Sequence, residues 1–151
     1  MAGDEYPPAA FSFRVVFSAT GDSSDTSFQD VSGVKATIET ETYKELGENS
    51  FEYQFPKPPT YPNLVLKRGI ADVDSPLVKW CKSVFEGDFS KPIEPMDIRV
   101  YLLDENQEPK CAWAFSNAFP IVWEVENFKS DKNEVAIEKI ELRYNYLTRE
   151  L

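Results

Sequence analysis

The feature that most limits the fold of this chain is the two-residue rhythm of its apolar positions. In residues 11–17, FSFRVVF, the side chains of Phe11, Phe13, Val15 and Phe17 share one parity, the mark of a strand with one buried face. The same alternation recurs in residues 97–103, DIRVYLL, through Ile98, Val100 and Leu102, and in residues 110–116, KCAWAFS, through Cys111, Trp113 and Phe115. Residues 104–109 between them read as a turn, so the pair forms a hairpin. One segment keeps the helical period instead. Ser75 is placed as an N-cap and Pro76 at the first helical position; Leu77, Trp80, Cys81, Val84 and Phe85 then form one apolar stripe, and Gly87 supplies the stop.

The remaining segments fit the same scheme. Residues 18–27 are polar and read as a hairpin loop, and FQDVSGV (28–34) follows with Gly33 at a turn or bulge. NLVLKRGI (63–70) is another short strand. Pro120 is expected to break the run after Ser116, with a fresh strand over 121–125. The last strand covers 134–147. Val135 and Ile137 have odd parity there, whereas Ile140, Leu142, Tyr144 and Tyr146 have even parity. That switch predicts a bulge near Glu138 and Lys139, or a strand buried on opposite faces at its two ends. Seven or eight strands with turns at short intervals, and one helix, give a mainly β domain over residues 1–151, a sandwich or a barrel.

Residues 36–62 stand apart. Residues 35–45 alternate but are rich in Thr and Glu, with Ile38 the one strong aliphatic; 46–49 read as a turn. Phe51, Tyr53 and Phe55 then alternate with Glu52 and Gln54, and Pro56, Pro58, Pro59 and Pro62 end the segment. This predicts an extended β-hairpin arm with three aromatic residues opposite a nearly polar strand. Such a hairpin is marginal alone in water and is better explained if another chain covers it. Thr40, Thr42, Tyr43, Leu46, Phe51, Tyr53 and Phe55 are its candidate interface residues.

The composition excludes several kinds of chemistry. Asp and Glu number 26 against 16 Lys and Arg, a net charge of −10, which opposes binding to nucleic-acid phosphates. There is no histidine, so neither a Ser-His nor a Cys-His pair can form. The six glycines are ungrouped and build no phosphate cradle. Cys81 and Cys111 are not a Cys-x-x-Cys pair and are expected as reduced, buried thiols rather than metal ligands. Asp72 and Asp74 precede the helix, where a carboxylate favours the helix dipole. Trp80, Trp113 and Trp123 are in phase with core positions. Residues 1–10 hold Asp4, Glu5, Pro7 and Pro8 without an apolar run, unlike a signal peptide. No enzyme activity and no cofactor are expected.

Read in order, FSFRVVF (11–17), FQDVSGV (28–34), LKRGI (66–70), the helix with Trp80, DIRVYLLDENQEP (97–109), SNAFPIVWEVENF (116–128) and NEVAIEKIELRYNYL (133–147) resemble the tube protein family of contractile phage tails and extracellular contractile injection systems. Residues 18–27 and 145–151 depart from the pattern. The resemblance implies a β-barrel of two packed antiparallel sheets with one flanking helix, and no catalytic residues. It implies six subunits per ring and rings stacked into a hollow tube. The expected partners are further copies of the chain, tube paralogues, a sheath, a baseplate, and a luminal cargo protein or tape measure, with assembly in the cytoplasm and no membrane insertion. Type VI secretion tubes are similar in architecture. The acidic strip of the arm then suits a channel wall, with Glu39, Glu41 and Glu52 as lumen-facing candidates. The competing reading, a monomeric β-sandwich carbohydrate-binding module, requires an exposed aromatic platform.

Overall fold

Alternation places the strands. In the computed structural model, which describes residues 12–17, 24–43, 52–69, 75–87, 92–126 and 137–151, β1 (Ser12–Phe17) sends Val15 and Phe17 into the core. After it come β2 (Ser24–Phe28), β3 (Asp30–Ser32), β4 (Thr40–Tyr43), β5 (Tyr53–Pro56) and β6 (Leu64–Gly69), the last burying Leu64 and Leu66. Helix α1 (Pro76–Phe85) leads to β7 (Met96–Leu103), β8 (Pro109–Glu126), β9 (Ile137–Arg143) and β10 (Tyr146–Arg149). Ile98 and Val100 of β7 and Ile140 and Leu142 of β9 are buried. Each such aliphatic side chain taken out of water contributes roughly 1.5–3 kcal/mol. Ten strands occur among the described residues, more than expected: residues 24–27, read as part of a loop, belong to β2, and the single strand expected over 134–147 is divided into β9 and β10.

The strands form one antiparallel ladder in the order β2-β1-β7-β8-β9-β6-β3, with β10 also paired to β8; β4 and β5 make a separate two-stranded sheet. Two sheets share β8. Its first half pairs with β7 and β10, its second half with β9. The edges of the ladder, β2 and β3, are separated in the chain by Gln29 alone, whose N–H donates to the carbonyl of Lys67 at 3.0 Å. One stretch of chain therefore lies along β1 at one edge and β6 at the other. The core between the sheets includes Phe17, Phe28, Phe115 and Tyr144, with Phe115 edge-on to Tyr144 at 4.8 Å. Burial raises the Tyr144 phenol above its ordinary pKa.

Local chemistry explains the turns. Gly33 has φ +88°, and a Cβ there would lie 2.0 Å from the carbonyl oxygen of Asn63, so its place at a turn is enforced. After β7, Asp104 Oδ1 accepts the N–H groups of Asn106 and Glu108, each at 2.9 Å. The Glu108 N–H chiefly holds the Asp104 carboxyl below the usual range.

Three expectations need correction. Pro120 does not end a strand, since β8 runs through it for 18 residues. Pro120 pairs with Leu142 and Val122 with Glu141, leaving Ile121 as the surplus residue of a bulge, a position that tolerates a residue without an N–H. The bulge predicted near Glu138 and Lys139 is absent: residues 137–141 pair regularly with 122–126. Glu138 is buried in phase with Ile140 and Leu142. Val135 lies outside the described residues, and the break comes instead between β9 and β10, after which Tyr146 is exposed. The helix also differs at both ends. Ser75 holds the N-cap position without a side-chain capping bond, and Phe85, counted with the buried stripe, is exposed.

Ser75 is otherwise engaged, because its hydroxyl accepts Arg68 Nη2 at 2.7 Å. Arg68 and Glu138, each 4% exposed, are direct register partners on β6 and β9 and form an ion pair at 3.9 Å. Trp123 Nε1 donates to Glu138 Oε1 at 2.8 Å, and the guanidinium stacks on Phe28 at 4.6 Å. The sequence reading missed this network. Its signal is an alternation in which Glu138 falls on the buried parity.

Two substitutions test this account. Glu138→Leu is expected to cost about 3–5 kcal/mol by stranding a buried cation, and Arg68→Met combined with it to recover most of that loss. Gly33→Ala is expected to lower stability by more than about 1 kcal/mol. Urea unfolding followed by tryptophan fluorescence checks both.

Candidate functional site

The arm is built by local pairing. Thr40 faces Pro56, Glu41 faces Phe55, Thr42 faces Gln54 and Tyr43 faces Tyr53. Gln54 Nε2 donates to Thr42 Oγ1 at 2.9 Å, and Lys57 N–H to the carbonyl of Glu39 at 2.7 Å. Thr37 and Thr60 close the base through reciprocal N–H bonds of 2.9 and 2.8 Å. Every residue of β4 and β5 is exposed.

Register assigns the faces. Tyr43, Tyr53 and Phe55 share one face, with Tyr43 edge-on to Phe55 at 6.1 Å and Tyr53 tilted to Phe55 at 6.5 Å. Tyr43 is 55% and Phe55 52% exposed, and Ile38 lies exposed nearby. Glu41 falls on this same aromatic face and forms a 3.6 Å ion pair with Lys57. Thr40, Thr42 and Gln54 lie on the opposite face, and Glu52 has the parity of Gln54. The structure thus unites the aromatic candidates, but it splits the threonines from them and Glu41 from Glu52. Leu46, Phe51, Glu45, Glu48 and the turn at 46–49 lie outside the described residues, as do Asp72 and Asp74.

The tryptophans make no platform. Trp80 is buried edge-on to Phe17, Trp113 packs partly buried against the core, and Trp123 commits its N–H to Glu138. A second apolar surface that the sequence reading missed lies where α1 meets β8: Phe85 and Val125 are exposed there, and Phe85 lies 6.2 Å from Trp123. Cys81 is buried and Cys111 partly exposed, and neither is in a disulfide. Among the described residues no three His, Cys, Asp or Glu side chains converge for a metal, and no helix is long and apolar enough to cross a membrane.

Comparison with known proteins places this geometry. The profile of the T4-like virus tail tube protein gp19 family matches residues 9–148. Comparison with curated protein sequences gives no match. Among solved structures, the chain is similar to one in the extended sheath–tube complex of an extracellular contractile injection system, PVC, at 24% identity, covering 97% of this chain and 93% of that one, with a TM-score of 0.75. It is similar to a chain of the anti-feeding prophage tube-terminating cap at 25% identity, covering 99% of both, with a TM-score of 0.74. Hcp1 from Salmonella typhimurium shares the fold at 14% identity, covering 93% of this chain and 86% of that one, with a TM-score of 0.56. With a family match over nearly its whole length, the chain belongs to the tail tube protein family of T4-like viruses and is a structural tube protein.

Proposed function

We propose that this chain is the repeating subunit of the inner tube of a contractile, phage-tail-like injection particle, in which six copies close into a ring and rings stack around a channel for cargo. The observation that carries this reading is the arm. Its aromatic side chains are presented to solvent, and among the described residues its two strands pair only with each other. A two-stranded hairpin is marginal alone. Exposed apolar patches mark contact surfaces, and open strand edges seek partners. An arm on one side of a subunit that fits a different surface of the next gives head-to-tail contacts, which close into rings or continue as filaments.

Thr40, Thr42, Tyr43, Tyr53 and Phe55, with Leu46 and Phe51, are the proposed contact residues. Because Glu41 shares the aromatic face and Glu52 has the opposite parity, the proposed channel wall with Glu39, Glu41 and Glu52 divides between two faces of the arm. The chemistry is binding, not turnover, and residues 1–151 act as one domain. The relatives were seen in sheath–tube, baseplate and cap complexes, which suggests sheath, baseplate and terminator partners here, with assembly in the cytoplasm before particle release.

Sedimentation with negative-stain microscopy tests the reading. Wild-type chain is expected as rings of about 100 kDa, six chains of 17.3 kDa, and as stacks of them; a strictly monomeric species at high concentration, with its partners present, opposes it. Tyr43→Ser with Phe55→Ser is expected to shift barrel unfolding by less than about 1 kcal/mol while abolishing stacks. Deleting residues 47–55 is expected to act likewise; stacks from either variant remove the arm from the assembly surface. Neutralising Glu39, Glu41 and Glu52 to glutamine is expected to change the amount of cargo co-purifying with tubes, and unchanged loading removes them from the channel wall.

A further inference from the structure

We propose that the outer face of β1 and β7 receives the arm of a second copy of this chain, with Arg14 as the cation that anchors it. This rests on the arm being the assembly element and names the surface it meets. With Val15, Phe17, Ile98 and Val100 buried, alternation turns Arg14, Arg99 and Tyr101 to the other side of the sheet. Ala112 and Ala114 are the register partners of Tyr101 and Arg99, Ala112 buried and Ala114 half-buried.

Arg14 is held in place and lacks an anion. Its guanidinium carbon lies 5.1 Å from the centre of the Tyr101 ring. Its Nε is enclosed without a hydrogen-bond acceptor, as is Ser12 Oγ two residues earlier on the same face. No ion pair joins Arg14 to a carboxylate among the described residues, in a chain with 26 of them. Arg99 beside it differs, since it pairs with Glu150 at 3.1 Å. A partly desolvated guanidinium is stabilised by a charged acceptor.

The arm carries the complement. Glu39 is exposed, and its carboxylate forms no ion pair among the described residues. Glu41 holds only an exposed 3.6 Å contact with Lys57, of little energy in water. Both lie on the arm with Tyr43 and Phe55. The chain's own arm is not seated on this face: no bond or ion pair links Glu39 or Glu41 to Arg14 among the described residues. A cationic face and an anionic, aromatic arm on separate parts of one chain are the two halves of a heterologous contact, and electrostatic complementarity fixes its register.

Charge exchange in the full chain tests this, with ring formation measured by sedimentation across protein concentration. Arg14→Glu and Glu39→Arg are each expected to raise the concentration needed for rings by about tenfold or more, and the combined variant to recover most of that loss. Circular dichroism confirms that Arg14→Glu folds. Glu39→Arg lies on the exposed arm and keeps the test alive if Arg14→Glu does not fold. Rings from either single variant at the wild-type concentration overturn the proposal, as does a combined variant no better than the singles. Intact rings from Arg14→Glu that no longer bind a sheath or cargo protein assign the face to that partner instead. A wild-type chain that forms no rings overturns the tube reading itself, and the inference with it.

Discussion

Arg68 and Glu138 face each other across β6 and β9, where the start of α1 and the second half of β8 also converge. Removing two such groups from water costs several kcal/mol each, and their attraction offsets that only when the geometry is good and the spare hydrogen-bonding positions are filled. Here Ser75 and Trp123 supply partners, and the Phe28 ring covers the guanidinium. The pair is therefore a strong instruction and a weak source of stability. A one-residue slip of β9 would set Lys139 against Arg68 and turn Ile140 and Leu142 away from the core. Lys139 now lies on the opposite side, held by Glu124 and Glu141 at 3.2 and 3.8 Å. Fixing this register also fixes the seat of α1, because Arg68 is bonded to the residue that begins it.

The two-sheet body and the arm follow different rules. In the body, nearly every apolar side chain of β1, β6, β7 and β9 on the inner parity is covered by its own chain. In the arm, the hydrogen-bonded frame is complete at its base, yet the rings of Tyr43, Tyr53 and Phe55, which lie against one another, stay exposed. A chain with net charge −10 remains dissolved despite such a patch, since mutual repulsion opposes unspecific clustering. In the proposed contact, association needs a surface of matching charge as well as shape, a requirement that separates a directed contact from aggregation.

What could be read from the sequence follows the range of the interaction. Alternation in β1 and β7, the helix from Pro76, the turn at Gly33 and the arm are set by residues close together in the chain, and all were legible. Val15 and Ile98 needed no knowledge of their partners to be placed inside. Glu138 did, because a glutamate in a strand reads as solvent-facing until the arginine opposite is known. Pro120 misled for a similar reason: it breaks a strand unless a bulge accommodates it, and β8 has one at Ile121, opposite the consecutive Leu142 and Glu141. Phe85 continues the helical stripe, but in the structure it lies beside Trp123 with much of its ring exposed. In the arm, hairpin and aromatic content were legible, but the division of Glu41 from Glu52 depended on the register of β4 against β5.

The segment from β9 through β10 lies antiparallel along almost the whole of β8 and also covers β6, and Arg143 reaches back to the carbonyl of Tyr61. This arrangement has a consequence in time. The pairing of β6 with β9 must wait for residues synthesised far later, and such distant contacts form slowly. During that interval Leu64 and Leu66 have no cover on one side, while the arm, being local, is already able to form. A nascent chain would thus form its arm before β6 meets β9, and crowded synthesis would favour wrong pairings between unfinished copies. Holding the arm's contact to a charged face that exists only after β1 and β7 have paired would delay association until the receiving subunit is folded.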